Sequence, residues 1–328
     1  MKLQLNAEGL DEIPETTTET AAFVTELNVG FNKLRSLAPS IARYRNLRVL
    51  RLNHNLLEDL PEEIATLPEL RELSLSSNPL RGFPRVLLRI PHLETLHLDQ
   101  TGLAEIPADF RPGALVNLSL SRNQITAIPE GLFANGNLLR TLRLNQNRLK
   151  VLPASRGELA ALEELDLSYN ELESLPKELG QLKRLEVLHL QGNRLRKLPE
   201  SLGQLAALRR LTVYENQLTS LPDSIGQLAC LERLDASHNN LRSLPDEIGG
   251  WKAMRWLVLS ENQLTSLPDD FCNLPGLTHC FLHRNRLKYL PVADAEKFLP
   301  VIQVISLSDN AFKEDWKLPE IYRKAKMI

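Results

Sequence analysis

Short segments in which apolar and polar residues alternate recur along the whole chain, and each is followed by an asparagine. In the unit LEVLHLQGNRLRKLPESLGQLAA, residues 185–207, leucines stand eight, five and three residues before Asn193 and two, five, nine and twelve residues after it. Because Leu188 and Leu190 are two residues apart, their side chains on a strand point to one side, and the residues beside them face the other. The pattern predicts one short β-strand at the start of every unit.

The asparagine returns at a nearly constant interval. Eight of the intervals are 23 residues, and Glu8 and Thr101 stand at two further positions of the series. The asparagines are Asn32, Asn55, Asn78, Asn123, Asn147, Asn170, Asn193, Asn216, Asn239, Asn262, Asn285 and Asn310. Seven apolar side chains per unit cannot close a core alone, so we expect about fourteen rungs stacked as parallel strands around a shared leucine interior. The asparagine amide both donates and accepts, and we expect it to bond buried backbone groups of adjacent turns.

The segment after each asparagine predicts the opposite side of the rung. In most rungs a proline follows the apolar residue five positions after the asparagine, and acidic residues follow the proline, as in residues 222–225, Pro-Asp-Ser-Ile. Both features suit the first turn of a helix, so we expect short helical or 3₁₀ segments there. The glycines Gly180, Gly203, Gly226 and Gly249 are expected to let the chain leave each helical turn.

These residues resemble a known family. The stretch LPDSIGQLACLERLDASHNNL, residues 221–241, is similar to the leucine-rich repeat. Its Leu-Pro and Ile-Gly form is that of intracellular Ras-associated scaffolds of the Scribble and Erbin class, of plant intracellular Ras-group proteins and of many bacterial effectors. The resemblance covers nearly every residue from 3 to 310. It implies an α/β leucine-rich repeat solenoid, a horseshoe with a parallel concave β-sheet and short helical or 3₁₀ convex segments.

The resemblance also implies a class of function. Leucine-rich repeats are a binding architecture whose ligands differ between proteins. We therefore expect a non-catalytic interaction module that binds a protein or peptide partner on its concave face. An alternative is the targeting half of a secreted effector or of a ubiquitin-ligase-like protein that acts on host proteins.

Both ends of the array depart from the repeat. Residues 1–22 are expected to form a first atypical rung that ends in a polar loop, ETTTETAA at 15–22, and residues 23–310 form the repeat array. Residues 311–328 lack the repeat and are expected to cap the last rung, because an open leucine core would aggregate. The apolar residues of this predicted cap are Phe312, Trp316, Leu318, Ile321 and Tyr322.

The sequence places nothing polar over the first strand, since Leu3 and Leu5 already occupy strand positions. Two explanations stay open. Either the chain is a piece of a longer protein, or another molecule covers the edge of the first strand, such as a second copy in a homodimer.

Composition restricts the classes of partner and the cellular compartment that we expect. The chain has 39 basic and 41 acidic residues and a formal net charge of -2. Nucleic-acid binding and polybasic membrane anchoring both rely on a basic excess, so we expect neither a nucleic-acid nor a membrane partner. The chain has three cysteines and no run of eighteen apolar residues, and its first residues do not resemble a signal peptide, so we expect a cytoplasmic protein. In the effector alternative this protein would be delivered into a host cell.

The sequence lacks the common catalytic signatures, namely a phosphate loop, GxGxxG, HExxH and GxSxG. We expect Cys280 to lie in the core, and Cys230 and Cys272 to lie on convex segments without an activating base. On a strand His279 and His283 stand about 13 Å apart, too far to share one metal ion. No catalytic residue, metal site or cofactor is predicted.

The variable strand positions form the expected binding face. Most carry small, polar or charged residues, but Trp256, Val258 and Phe281 are aromatic or apolar and fall on two adjacent strands. Such groups rimmed by polar residues are typical of binding hot spots. The predicted partner-binding residues are Arg210, Tyr214, Arg233, Asp235, His238, Trp256, Val258, His279, Phe281 and His283. A secondary partner-binding strip is predicted at Arg143, Glu164, Asp166, Tyr169 and His189.

Overall fold

Nearly every rung contributes one strand of three residues, the length over which apolar and polar residues alternate. The computed structural model describes residues 1–133, 138–154, 159–291, 302–314, 316–317 and 326–327. The chain divides into two units, residues 1–149 and 150–328. Within each unit the strands follow one another in chain order and pair in parallel with their neighbours.

In the described part of the first unit, strands alternate with short helices that return the chain. The strands are β1 (Lys2–Gln4), β2 (Glu26–Asn28), β3 (Val49–Arg51), β4 (Glu72–Ser74), β5 (Thr95–His97), β6 (Asn117–Ser119) and β7 (Thr141–Arg143). The helices are the α-helix α1 (Thr18–Ala22) and the 3₁₀ helices Pro39–Arg43, Glu62–Thr66, Arg85–Arg89 and Glu130–Phe133.

The described part of the second unit repeats this arrangement more regularly. The strands are β8 (Glu164–Asp166), β9 (Val187–His189), β10 (Arg210–Thr212), β11 (Arg233–Asp235), β12 (Trp256–Val258), β13 (His279–Phe281), β14 (Val304–Ser306) and β15 (Lys326–Met327). The 3₁₀ helices are Lys177–Gln181, Glu200–Gln204, Asp223–Gln227, Asp246–Gly250 and Asp269–Asn273.

The predicted leucine-rich repeat solenoid is confirmed, because β1–β14 correspond one to one to the fourteen rungs and nearly all the helices between them are 3₁₀. The rungs of unequal length keep the same register. Leu118 of β6 stands opposite both Leu96 of β5 and Leu142 of β7, which are 22 and 24 residues away in the sequence. The missing or additional residues are therefore accommodated outside the strands.

The apolar positions of every rung point into a shared interior. In the rung of Asn216 all seven apolar side chains are at most 3% exposed. They are Leu208, Leu211, Val213, Leu218, Leu221, Ile225 and Leu228. Each such side chain contributes about 1.5–3 kcal/mol on burial, and much of that burial is against the rungs on either side.

The repeated asparagine joins each rung to the rung before it, as predicted. The side-chain amide of Asn216 donates to the carbonyl of Val213 in its own rung at 3.0 Å and to that of Leu190 in the preceding rung at 3.0 Å. Its carbonyl accepts from the backbone N–H of Leu195, also in the preceding rung, at 3.0 Å. Asn55, among others, makes the same three bonds. The asparagine thus satisfies backbone groups that the three-residue strands leave unpaired.

A left-handed residue precedes the asparagine position in all fourteen rungs. We call it the strand-exit residue. Its φ lies between 50° and 67°, and thirteen of the fourteen are not glycine. This conformation was not predicted from the sequence, because residues other than glycine and asparagine seldom adopt it. The conformation turns the chain sharply out of the strand and brings the next side chain, the asparagine, inward.

Thr101 reproduces only part of the asparagine pattern. Its hydroxyl donates to the carbonyl of Leu98 at 2.9 Å, but a hydroxyl has one proton where an amide has two. The backbone N–H of Leu80, which in the regular pattern would meet an asparagine carbonyl at position 101, instead donates to the carbonyl of Asn78 at 2.9 Å. A local turn thus replaces the missing bond.

The predicted role of the convex glycines was wrong. Gly180, Gly203 and Gly226 do not have positive φ, so they do not serve to end a helical turn. A Cβ atom at Gly203 would lie 2.2 Å from the carbonyl oxygen of Ser224 in the next rung. These glycines instead allow consecutive 3₁₀ helices to pack at close range.

The predicted polar loop at 15–22 was also wrong, because residues 18–22 form the helix α1. Thr17 caps this helix, and its hydroxyl accepts from the backbone N–H of Thr20 at 3.2 Å. Ala21, within this helix, is fully buried. A capping threonine and small apolar residues stabilise a helical turn in a segment that composition alone suggests is a loop.

At the other end, a short strand follows the last repeat. In β15, Met327 stands opposite Ile305 of β14. The rings of Phe312 and Trp316 stack with centroids 4.0 Å apart. Leu318, Ile321 and Tyr322 lie outside the described residues, so the cap at 311–328 stays a prediction.

Replacing Asn216 by alanine should lower the free energy of unfolding by about 3 kcal/mol, because buried backbone groups of two rungs lose their partners. The control is Asn240→Ala in the next rung. Asn240 is exposed and its side chain accepts a bond from Gln263, so we expect a change of less than about 0.5 kcal/mol. Urea denaturation followed by circular dichroism measures both, and equal effects would contradict the assigned role.

Gly203→Ala should destabilise the chain by about 1–3 kcal/mol, because the new methyl group overlaps the neighbouring helix. Gly82→Ala is the matched control, since a Cβ atom there meets nothing within 4 Å and φ is not positive. Both substitutions restrict the unfolded chain in the same way, so their difference isolates the contact. If the two thermal midpoints agree, the close approach at Gly203 has no energetic weight.

Candidate functional site

The strands of the second unit present two kinds of side chain. The middle residue is buried, as for Leu257 of β12 and Cys280 of β13, which are fully buried. The residues on either side of it point away from the core and are partly exposed, as are Trp256, Val258 and Phe281. The structure therefore places these three side chains on the face that the strand pattern predicts.

Trp256 lies in the centre of a stack that spans three strands. Its ring stacks on His279 with centroids 4.0 Å apart and an interplanar angle of 13°. The Arg233 guanidinium carbon lies 5.1 Å from the centroid of the same ring. Since β11 and β13 flank β12, the two neighbours cover opposite faces of Trp256. Both faces of the ring therefore have a side chain from a neighbouring strand beside them.

Phe281 and Val258 form the apolar part of the region. They stand opposite each other on β13 and β12, and the ring of Phe281 is 5.7 Å from that of Trp256. Both are partly exposed. This pair, more than Trp256, offers apolar surface to a partner.

Arg210 and Arg233 stand directly opposite each other on β10 and β11, and both are exposed. Asp235 lies on the same strand as Arg233, but its carboxylate accepts from the backbone N–H and hydroxyl of Ser237 at 3.1 and 2.7 Å. Within the described residues, no carboxylate lies within 4 Å of either guanidinium. The two arginines make a small positive area beside the aromatic stack.

The strand-exit residues form a charged row along the edge of this face. His238 Nδ1 lies 3.0 Å from a carboxylate oxygen of Glu261, and Arg284 bonds the other oxygen at 2.8 Å. Arg284 also lies 3.7 Å from Asp309. His238 is thus held in an ordered row of alternating charge.

Two of the remaining predicted histidines bond to hydroxyl groups on the next strand, and the third bonds to the threonine that precedes it. His283 Nδ1 lies 3.0 Å from the hydroxyl of Ser306, and His189 Nδ1 lies 2.8 Å from that of Thr212. His279 bonds Thr278 through the same atom at 2.9 Å. These contacts fix the imidazole rings as parts of the surface.

Tyr214 connects the primary region with the secondary strip. Its hydroxyl lies 3.1 Å from that of Tyr169, two rungs away. Gly192, the strand-exit residue of the rung between them, has φ of 67°, and a Cβ atom there would lie 2.4 Å from the ring of Tyr169. The tyrosine ring therefore lies across the bare backbone of Gly192.

This arrangement shifts one ionisation. Burial, followed by the hydrogen bond to Tyr169, raises the pKa of Tyr214 well above its ordinary value of 10.0. The folded chain favours the neutral phenol. Its contribution to stability is complete below pH 10 and is lost as pH rises through the folded-state pKa.

Asp166 of the secondary strip is bonded within its own rung. Asp166 accepts from the backbone N–H and hydroxyl of Ser168 at 3.0 and 2.6 Å. Glu164 and Asp166 both lie on β8 in the second unit, whereas Arg143 lies on β7 in the first unit. Tyr169 contacts Tyr214 of the primary region, and His189 contacts Thr212 of β10.

Sequence reasoning missed three residues of this surface, namely Gly192, Thr212 and Glu261. Gly192 carried a signal, because it is the one glycine among the fourteen strand-exit residues. Thr212 and Glu261 carried none, since a bonding threonine or glutamate has the same sequence appearance as a solvated one.

No group of three histidine, cysteine, aspartate or glutamate side chains suited to a metal ion occurs in the described part of the chain. Burial raises the pKa of the Cys280 thiol far above its ordinary value, which disfavours a reactive thiolate. Cys272 is also buried and Cys230 is exposed. Among the helices that the structure describes, none has the length and apolar character of a membrane span.

The first strand pairs on one side. Lys2 of β1 stands opposite Glu26 of β2, and their side chains form an ion pair at 2.7 Å. Within the described residues no strand lies on the other side of β1. The homodimer through this edge stays a prediction.

Family comparisons identify the repeat over most of the chain. A family model described as "Leucine rich repeat" matches residues 23–80, 45–103, 91–149, 113–172 and 237–287. A second, described as "Leucine-rich repeat region", matches residues 157–243. Together the matches run from residue 23 to residue 287 without a gap. No curated protein matches the chain in sequence.

Solved structures share this fold. A leucine-rich repeat protein of Leptospira interrogans is 29% identical with a TM-score of 0.69, and the match covers 99% of this chain and 95% of that one. YopM, described as a leucine-rich effector protein from Yersinia pestis, is 27% identical with a TM-score of 0.73, over 100% of this chain and 82% of that one. TLR13 in a complex with single-stranded RNA is 25% identical with a TM-score of 0.68, and the match covers 88% of this chain and 47% of that one.

Replacing Tyr169 by phenylalanine should lower the pKa of Tyr214 toward its ordinary value, because one of the contacts that raises it is removed. Gly192→Ala should act in the same direction by displacing the ring of Tyr169. Tyrosine ring resonances labelled with ¹³C and followed by NMR above pH 9 measure the change. Tyr289→Phe, at an exposed tyrosine outside the strands, is the control. An unchanged Tyr214 titration in both test variants would contradict the contact.

Proposed function

Because this chain belongs to the leucine-rich repeat family, we propose that it is a non-catalytic interaction module that binds a protein or peptide partner. Domains of this family are generally interaction modules rather than enzymes. The proposed contact region is the face formed by Arg210, Arg233, Val258, Phe281 and the edge of Trp256. The observation that carries the proposal is the partly exposed Phe281–Val258 pair on a face whose other positions are mostly polar.

The order of this face supports a binding role. Its backbone is held by strand pairing and by the buried asparagines, and Trp256 is fixed between two neighbours. A partner that docks here restricts few additional side chains, so less of the contact energy is spent on ordering them. Aromatic residues and arginines on a rigid surface are the side chains that most often dominate binding free energy.

The charges of the region support a protein or peptide over a polyanion. Arg210 and Arg233 are followed along the same face by Asp235, Glu215 and Glu261. A nucleic acid would meet both signs of charge and little basic excess. TLR13, to which this chain is similar, was solved in complex with RNA. Because the charges on the present face are mixed, we do not propose RNA as its ligand.

A second candidate is an effector that acts on proteins of another organism. The 27% identity to YopM over the whole of this chain favours it. The binding face would be the same in both cases. What differs is the source of the partner, so capture from host-cell lysate as against lysate of the producing cell distinguishes the two. A cytoplasmic location stays a prediction for either.

Phe281→Ala combined with Val258→Ala should weaken binding of the captured partner about tenfold or more, because both side chains lose apolar contact. Affinity capture with the immobilised chain, followed by quantitative mass spectrometry, identifies the partner, and titration calorimetry measures its affinity. Tyr289→Ala is the control, since Tyr289 is 55% exposed and lies outside the strands. Undiminished affinity in the folded double variant would exclude this face.

A further inference from the structure

We propose that Arg210 and Arg233 form a carboxylate-binding site, and that the partner is a peptide segment carrying Asp or Glu near an apolar side chain. The inference rests on the proposed function and adds the chemistry of the ligand. It begins from the observation that two exposed arginines stand opposite each other on adjacent strands and that, among the described residues, no carboxylate lies within 4 Å of either guanidinium.

Two cationic strand residues of the first unit have acidic partners. In the first unit Lys2 pairs with Glu26 of the next strand at 2.7 Å, and Arg51 pairs with Glu72 of the next strand at 2.8 Å. These pairs join strand residues just as β10 joins β11. Like charges directly opposite each other on neighbouring strands are unfavourable. The site at Arg210 is therefore an area where the fold leaves positive charge unneutralised.

The structure also orders one of the two cations. Arg233 lies over one face of Trp256, whose other face is covered by His279. A guanidinium is planar and can still present its N–H edge to a carboxylate while its face rests on an aromatic ring. Arg210 is exposed and free to turn toward the same carboxylate.

The surroundings favour a single carboxylate over a phosphate or a polyanion. Asp235 lies two residues beyond Arg233 on the same strand, about 7 Å away. Two positive charges beside one negative charge leave a small excess that suits one carboxylate. A dianionic group or a chain of phosphates would be repelled by Asp235 and by the glutamates among the strand-exit residues.

Geometry sets the spacing in the ligand. Arg210 is two strands from Val258, and Arg233 is two strands from Phe281. Each pair is also offset by two residues along the strand, so each separation is about 12 Å at about 4.8 Å per strand and about 3.3 Å per residue. An extended peptide rises about 3.3 Å per residue. Its acidic residue should therefore stand two to four residues from its apolar residue when it crosses the strands.

The test uses a displayed library of random nonapeptides selected on the whole chain. We expect the selected peptides to carry Asp or Glu two to four residues from Phe, Trp, Leu or Ile. Synthetic versions should bind about tenfold or more weakly when the acid is replaced by its amide. Their affinity should also fall as salt is raised.

Variants of the chain locate the site. Arg210→Ala should weaken binding of the selected peptides about tenfold. It should also remove the difference in affinity between the acid and amide versions of each peptide. Arg210 does not contact Trp256, so this variant leaves the stack in place, whereas Arg233→Ala removes one of its members. Arg233→Lys keeps the charge but loses the planar fork, and should weaken binding by a smaller factor. Arg242→Ala, an exposed arginine outside the strands, is the matched control and should change nothing.

The outcomes separate this inference from the proposed function. Selected peptides that lose binding with Phe281→Ala, yet show no acidic residue and no dependence on Arg210, would overturn the carboxylate site and leave the binding face intact. A preference for phosphopeptides or single-stranded RNA that depends on Arg210 would overturn it as well, as would failure to select any peptide. The proposed function is tested separately, by whether the affinity of the captured protein depends on Phe281.

Discussion

An asparagine side-chain amide, present in twelve of the fourteen rungs, is the interaction on which the rest of the structure depends. Strands of three residues leave most backbone groups of a rung outside the sheet, and the helices among the described residues are too short to pair them. The asparagine carboxamide satisfies two carbonyls and one N–H, two of these three groups in the preceding rung, as Asn216 does with Leu190 and Leu195. Buried polar groups without partners are costly, so each rung is stable only against a neighbour.

This constraint fixes the register of the strands and leaves the length of the return segments free to vary. The left-handed strand-exit residue sets the asparagine inward at the same place in every rung, which holds the register constant through intervals of 22 to 25 residues. Variation in length is taken up in the return segments. Side chains beside the buried strand residues can therefore change without disturbing the fold, and this is why the polar and apolar composition of that face carries the information about a partner.

The sequence predicted what periodicity determines and missed what depends on single neighbours. Strands, buried leucines, convex 3₁₀ segments and the outward direction of Trp256 and Phe281 all follow from spacing. The helix α1 was missed because one capping threonine decides it, and the role of Gly203 was missed because it depends on the carbonyl of a residue one rung away. The contact of Tyr169 with Tyr214 was missed because it spans 45 residues across a glycine.

The surroundings of Trp256 show why residue type alone does not identify the anchor of a binding face. Tryptophan is the residue most often found at hot spots, yet here Arg233 and His279 already occupy both of its faces. In the binding mode that we propose, Trp256 restricts the Arg233 guanidinium before any ligand arrives. A charge that is ordered in advance loses less entropy on binding than a free one. Trp256 would then contribute chiefly by positioning the cation, and the apolar contact would fall to Phe281 and Val258 beside it.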